Sequence, residues 1–105
     1  MADTLARLEA TIASRKGADP ASSYVASLFA KGRPKIARKF GEEAVEAIVA
    51  ALAEEEAALT GEAADTIFHL MILLADAGVP LANVLAELER REGISGHDEK
   101  ASRPV

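Results

Sequence analysis

The chain has 105 residues, no cysteine, and 17 acidic against 12 basic side chains, which give a net charge of −5. This length predicts a single domain, and the lack of cysteine excludes a disulfide scaffold, thiol catalysis and cysteine-type zinc sites. The acidic surplus argues against a nucleic-acid-binding protein, which would carry an overall basic surface.

Apolar residues recur at intervals of three and four, so the sequence predicts an all-α domain of about five helices. The first helix runs from Asp3, as its N-cap, to Arg15, and a loop containing Gly17 and Pro20 follows it. The N-terminal segment, residues 1–12, lacks an apolar core and is not expected to be a signal peptide. Ser22 or Ser23 caps a short second helix, which ends at the glycine in position 32.

The third helix starts at Pro34 and reaches about Ala57, and Thr60 caps a fourth that ends before Gly78. A fifth helix opens at Pro80 and extends to about position 91. We therefore place an all-α domain at residues 1–91 and a charged, glycine-containing tail at 92–105, which we expect to fray.

Two segments of the third and fourth helices are apolar on nearly every face. Glu46 is the single polar residue between positions 44 and 53, and His69 is the single polar residue between 67 and 74. Such helices need burial on several sides, which a homodimeric helical bundle supplies. The apolar run ending at Asp76 is too short to span a membrane, so we expect a cytoplasmic protein.

The acidic residues are unevenly distributed. No Lys or Arg occurs between Lys39 and Arg90, whereas eleven Asp or Glu residues do. Carboxylates at this density must face water, pair with another segment or bind cations.

Two carboxylate pairs lie at helical spacing. Glu43 and Glu46 share one face of the third helix, and Glu62 and Asp65 share one face of the fourth. Each pair alone is typical of a solvated helix, but Glu46 lies inside an apolar run and Asp65 closely precedes one. Two inward pairs on neighbouring helices would repel each other without a cation, and oxygen ligands alone favour Mg²⁺. We therefore prefer a metal site to a solvated acidic face.

The basic residues ahead of these carboxylates suit phosphate. Lys35 and Lys39 continue the face of Glu43 toward a helix N-terminus, where the dipole favours anions. Phosphates held there would meet the metal, and a carboxylate would accept a proton from attacking water. Glu42 lies on another flank, as a surface partner of Arg38 would, and it joins Glu43 and Glu46 as a candidate catalytic carboxylate.

Four aromatic or basic positions have structural interpretations as well as functional ones. His69 on an apolar helix is more typical of a hydrogen-bonded core histidine than of a ligand. Tyr24, after the capping Ser23, is either a packing aromatic or a substrate contact. Arg33 and Arg38 are typical of a solvated face.

The segment from Ser23 to Glu46 resembles the phosphoribosyl-ATP pyrophosphohydrolase family of histidine biosynthesis. The resemblance rests on the motifs SYxxxL, GxxKIxxK and GEEAxE, and it extends to residues 62–70 and to the tail at 93–103. The two carboxylate pairs alone mark the wider MazG-like superfamily of all-α pyrophosphohydrolases.

The resemblance implies a dimeric helical bundle that hydrolyses phosphoribosyl-ATP to phosphoribosyl-AMP and pyrophosphate, the second step of histidine synthesis. It implies that Mg²⁺ is bound by Glu43, Glu46, Glu62 and Asp65. It also implies that Lys35 and Lys39 bind phosphates, and Arg15 is a less distinctive basic position. Residues 66–68 differ from the family, where a leucine and a tyrosine are frequent, and Phe68 lacks that tyrosine's hydroxyl. The tail, by the same resemblance, is expected to be flexible or to fold over the site.

Three further expectations complete this interpretation. The first rival activity is that of a house-cleaning pyrophosphatase for (deoxy)nucleoside triphosphates in the same superfamily. The second rival is a non-enzymatic acidic helical protein that docks onto basic surfaces. A phosphoribosyl-AMP cyclohydrolase, fused to this domain in some organisms, is a candidate partner.

Overall fold

The computed structural model describes residues 2–53, 55–94 and 96–103, and across these ranges the regular structure is helical. This confirms the all-α prediction. The helices in the described ranges are α1 (Ala2–Ser14), α2 (Tyr24–Lys31), α3 (Arg33–Ala53), α4 (Glu56–Ala77), α5 (Leu81–Arg90) and α6 (Gly96–Ser102).

The predicted ends of α2 are confirmed. Ser23 is the N-cap, and its hydroxyl oxygen accepts a hydrogen bond from the Ala26 amide at 3.1 Å. Gly32 ends the helix at φ +93°, a backbone conformation that side chains disfavour. The Gly32 carbonyl then accepts from the Ile36 amide, so one residue ends α2 and begins α3.

Three helix boundaries differ from the prediction. α1 starts at Ala2, so Asp3 lies within its first turn, and α3 ends at Ala53 rather than near Ala57. α4 starts at Glu56, and the Thr60 hydroxyl donates to the Glu56 carbonyl at 3.0 Å instead of capping the helix. The reason is that the Ala- and Glu-rich sequence around the boundary favours helix almost equally at every position.

The tail also contains a helix that the sequence did not predict. α6 occupies residues 96–102, where we expected fraying. Residues 95, 104 and 105 lie outside the described part of the chain.

The α3–α4 pair forms the centre of the fold, and its helices run antiparallel. The Arg33 guanidinium, at the start of α3, donates to the Asp76 carboxylate at 2.9 Å and to the Asp76 carbonyl at 3.1 Å. Lys16 donates to the Ala75 carbonyl at 2.6 Å. Both cations therefore stabilise the C-terminal end of α4, where carbonyl groups lack helical partners. Arg33 is 59% exposed, as expected of a solvated residue, and it also pairs with Asp76.

A small apolar core lies at this same end of the pair. The buried residues come from four helices, and α1, α2 and the α5 end pack around them. Apolar residues of α1 and α2, which recur at the predicted intervals of three and four, contribute to this core. Its buried members are Ile12, Val25, Leu28, Ile36, Met71 and Ile72.

The opposite end of the pair, here called the bare end, exposes apolar side chains. Val45, Ile48, Val49 and Leu52 form an exposed apolar stripe at helical spacing on α3, and Leu52 is 84% exposed. By length and composition α4 could cross a membrane, with a mean hydropathy of 1.3. Core helices of globular proteins meet the same criterion, and α4 packs along α3.

Candidate active site

Three carboxylates meet where α3 and α4 face each other. Glu43 is buried, at 7% exposure, on the inner face of α3. Glu62 and Asp65 lie one turn apart on α4, and one oxygen from each of the three residues lies within 4.8 Å of the others. Three of the four predicted metal ligands therefore converge, as their helical spacing indicated.

Glu46, the fourth predicted ligand, lies one turn beyond Glu43. Hydrogen bonding to Glu43, the negative charge of Glu43, and a further hydrogen bond to Glu62 raise the pKa of Glu46 to about 7. A proton on Glu46 would therefore relieve the repulsion between the two carboxyl groups. Glu46 also lines a cavity of about 290 Å³ with Val45, Val49 and Glu62.

The donor set fits a hard divalent cation. Within the described residues, Glu62 Oε2 is buried and has no hydrogen-bond partner. A buried carboxylate oxygen without a partner is costly, and a cation at this position would remove that cost. Oxygen ligands alone favour Mg²⁺ over softer metals.

Lys39 contacts the cluster from the preceding turn of α3. Its Nζ lies 3.2 Å from Glu43 Oε1 and 3.8 Å from Glu42 Oε1. The hydrogen bond to Glu43 raises the pKa of Lys39. Burial alone would raise the pKa of Glu43, but its hydrogen bonds with Glu46 and Lys39 lower it. Lys39 is therefore a direct electrostatic partner of Glu43.

One predicted phosphate contact, one further basic position and one carboxylate take no part in this cluster. Glu42 is half exposed and contacts Lys39, where the sequence suggested a pair with Arg38. Lys35 is half-buried one turn before Lys39, and Arg15 is exposed beyond α1. Within the described residues no ion pair joins Lys35 or Arg15 to the carboxylates, and their roles stay predictions.

Tyr24 reaches the site from α2 and contacts α4. Its hydroxyl lies 2.7 Å from His69 Nε2, and His69 Nδ1 lies 2.7 Å from the Asp65 carbonyl oxygen. The interpretation of His69 as a hydrogen-bonded core histidine is confirmed. Partial burial raises the pKa of the Tyr24 phenol, the Lys39 charge opposes that rise, and Glu43 adds to it.

The chain matches a family model described as phosphoribosyl-ATP pyrophosphohydrolase over residues 5–92. A phosphoribosyl-ATP pyrophosphatase of Rhizorhabdus wittichii is 66% identical over 104 residues, which cover 99% of this chain and 98% of the relative. The corresponding protein of Dinoroseobacter shibae is 68% identical over 94% of this chain and 97% of its own length. The chain belongs to the phosphoribosyl-ATP pyrophosphohydrolase family. The resemblance in the sequence is thereby confirmed.

The sequence did not indicate a role for Thr66, one of the positions that differ from the residues frequent in the family. Its hydroxyl lies 2.8 Å from the Glu62 carbonyl and 3.1 Å from the Glu43 carbonyl. One side chain therefore links the backbones of two site residues on different helices. Neither spacing nor residue type could have indicated the contact with Glu43, because it depends on how α3 and α4 cross.

Proposed function

We propose that this chain is a Mg²⁺-dependent enzyme that hydrolyses phosphoribosyl-ATP to phosphoribosyl-AMP and pyrophosphate. Membership of the family and the names of the relatives support the reaction. This reaction is the second step of histidine biosynthesis.

The observation that carries the proposal is the convergence of Glu43, Glu62 and Asp65 around a buried oxygen without a partner. Together with Glu46 these residues would hold Mg²⁺. When bound, the ion would neutralise phosphate charge and lower the pKa of attacking water. The raised pKa of Glu46 supports the proposal, because it indicates that the site favours positive charge at this position.

The remaining site residues divide into phosphate contacts and proton acceptors. Lys35 and Lys39 lie along α3 on the N-terminal side of Glu43 and would bind the phosphates of the substrate. Glu42, Glu43 and Glu46 are the candidate acceptors for the proton of water. Tyr24 and Arg15 would contact other parts of the substrate.

We also propose a homodimer. The exposed stripe of Val45, Ile48, Val49 and Leu52 is contiguous with the cavity that Glu46 lines. A second copy presenting the same stripe would bury both faces, as a two-fold symmetric interface requires. It would also lower the exposure of the site to water, which strengthens electrostatic interactions there.

The proposal further includes a cytoplasmic location and no membrane or nucleic-acid partner. A phosphoribosyl-AMP cyclohydrolase remains a candidate partner, since it would use the product. A non-enzymatic acidic docking protein is disfavoured, because docking would not require Glu43 to be buried against Glu62.

The test is a turnover assay with phosphoribosyl-ATP, dCTP, dUTP and ATP at equal concentrations, with pyrophosphate as the measured product. We expect phosphoribosyl-ATP to give the highest kcat/KM and EDTA to abolish turnover. Preference for dCTP or dUTP would favour the house-cleaning activity instead. Calorimetric titration with Mg²⁺ is the control, since a docking protein without a metal site would show no saturable binding.

A further inference from the structure

The His69 ring is buried, and side chains of α2 and α4 pack against it. It is 4% exposed, and Tyr24 and Phe68 pack against it edge-on, with ring centroids at 5.7 and 5.3 Å. Tyr24 itself is half exposed and belongs to the rim of the site. A buried ring with both nitrogens engaged links this rim to the backbone of Asp65.

The two hydrogen bonds fix where the protons lie. The Asp65 carbonyl oxygen can only accept, so His69 Nδ1, at 2.7 Å, must carry a proton. In the neutral ring Nε2 then has a lone pair and can only accept. The proton between Nε2 and the Tyr24 hydroxyl, which are 2.7 Å apart, must therefore come from tyrosine.

This arrangement determines what Tyr24 can offer to a substrate. Its hydroxyl proton is committed to His69, so the oxygen presents lone pairs on its other side. The charges of Lys39, Glu43 and Asp65 act on this hydroxyl, and the His69 ring connects it to the backbone of Asp65. An oxygen that can only accept would bind a hydroxyl or ammonium group and would disfavour a phosphate oxygen.

We infer that His69 is a positioning residue that acts through Tyr24, holding the tyrosine hydroxyl as a hydrogen-bond acceptor for a hydroxyl group of the substrate. The inference rests on the proposed function, because the substrate supplies the donor. His69 touches neither the substrate nor the carboxylate oxygens in this role. The competing role is purely structural: support of the Asp65 backbone through Nδ1.

Two substitutions of His69 separate these roles. The Asn side-chain amide lies near the position of Nδ1, so His69→Asn retains a donor to the Asp65 carbonyl and loses the bond to Tyr24. The longer Gln side chain reaches the position of Nε2, so His69→Gln retains an acceptor for Tyr24 and loses the bond to Asp65. Tyr24→Phe removes the hydroxyl alone.

The experiment measures kcat and KM with phosphoribosyl-ATP for these variants and for the double variant Tyr24→Phe with His69→Asn. We expect Tyr24→Phe and His69→Asn each to lower kcat/KM by about three- to tenfold. The double variant should be no worse than either single variant, because both lose the same contact, and His69→Gln should retain most of the activity. The inference would be overturned if the losses of kcat/KM multiplied in the double variant. It would also be overturned if His69→Gln lost activity while His69→Asn retained it.

A spectroscopic measurement decides the proton positions without turnover. Nitrogen-15 NMR of the histidine rings should show the Nδ1–H tautomer for His69, and Tyr24→Phe should shift its Nε2 resonance, with His97 as an internal control. The opposite tautomer would overturn the inference even in an active enzyme. An inactive wild-type protein with the expected tautomer would reject the proposed function and leave the hydrogen-bond arrangement standing. If His69→Asn does not fold, the Tyr24→Phe spectrum provides the same decision.

Discussion

The two ends of the α3–α4 pair differ in how they are stabilised. At one end Ile36 and Ile72 are fully buried, and Arg33 binds Asp76 across the helices. At the other end the same two helices expose apolar side chains, with Leu52 the most exposed. The acidic cluster lies between these ends, with Glu43 buried and Asp65 exposed.

The apolar core and the acidic cluster therefore occupy different positions along one pair of helices. The end that contains the apolar core, the packed end, fixes how α3 and α4 cross. The acidic cluster depends on that crossing but buries no apolar surface itself. Like charges in close contact destabilise a fold, so the cluster is tolerated because the packed end compensates. The bare end leaves the site open to water or to a second copy of the chain.

The largest expected effect is on activity and comes from the cluster. Glu46→Gln and Asp65→Asn should each lower Mg²⁺-dependent pyrophosphate release by roughly a hundredfold or more, because metal binding supplies several kcal/mol of charge stabilisation. Stability without metal should hold or rise, since a negative charge is removed. Turnover assays and denaturation curves provide the measurement, with Glu89→Gln on α5 as the matched control. Near-wild-type turnover at saturating Mg²⁺ would exclude that residue as a ligand.

The packed end should respond in the opposite manner. Ile72→Ala, at a position with 0% exposure, should lower the free energy of unfolding by about 2–5 kcal/mol, and Ile72→Val by about 0.5–1.5 kcal/mol. Activity per folded molecule should change little. Urea denaturation measures both variants, and Leu88→Ala on the exposed face of α5 is the control. Equal losses for Ile72→Ala and Leu88→Ala would contradict the division of the pair.

The bare end should control assembly. Sedimentation at micromolar concentration should give about twice the chain mass of 11.0 kDa. Leu52→Glu should shift the protein toward monomer, since a charge would be buried at the two-fold interface. Leu88→Glu, which adds the same charge to α5, should leave the dimer intact. A wild-type monomer would show that the apolar stripe has another role.

Lys39 tests whether phosphate binding is separable from the cluster. Lys39→Met retains the aliphatic stem and loses the charge, so KM should rise roughly ten- to hundredfold if the ammonium group binds phosphate. Mg²⁺ binding without substrate should be unchanged or slightly tighter. The 3.2 Å contact with Glu43 supports a second outcome: weaker Mg²⁺ binding at unchanged KM. That result would make Lys39 an organiser of the carboxylates and not a phosphate contact.

Much of this division could be predicted from the sequence. The four carboxylates were predicted from their helical spacing and from the apolar runs at Glu46 and after Asp65, and three of them converge. The caps at Ser23 and Gly32 followed from local backbone chemistry. These features depend on residues within a few positions of each other, which is the range over which sequence patterns are informative.

The remaining features depend on contacts between distant residues. Arg33 and Asp76 are 43 positions apart, and Tyr24 and His69 are 45 apart. No local pattern specifies such pairs, since they follow from how the helices cross. The end of α3 at Ala53 and the start of α4 at Glu56 were also missed, because Ala and Glu favour helix in both segments.

The smallest expected effect is a dependence of stability on pH, and it connects the cluster to the fold. The pKa of Glu46 is raised from its ordinary 4.5 to about 7, chiefly by its hydrogen bond to Glu43. The folded state therefore binds a proton that the unfolded chain releases between these values. This contribution is fully present below pH 4.5 and is lost as the pH rises through about 7.

Metal-free protein should accordingly become less stable from about pH 5 to about pH 8, as urea midpoints in EDTA will measure. Glu46→Gln should remove this loss, because the amide cannot release a proton. Arg90 and Arg91 lower the pKa of Glu87 to about 2. Glu87 therefore titrates below this pH range in the folded and unfolded states, and its contribution to stability is constant across the range. Saturating Mg²⁺ should reverse the trend, since a bound cation would replace the Glu46 proton and binds best when Glu46 is ionised. A wild-type curve that matches Glu46→Gln with and without Mg²⁺ would show that Glu46 is outside the metal site, and the cluster would then consist of Glu43, Glu62 and Asp65 alone.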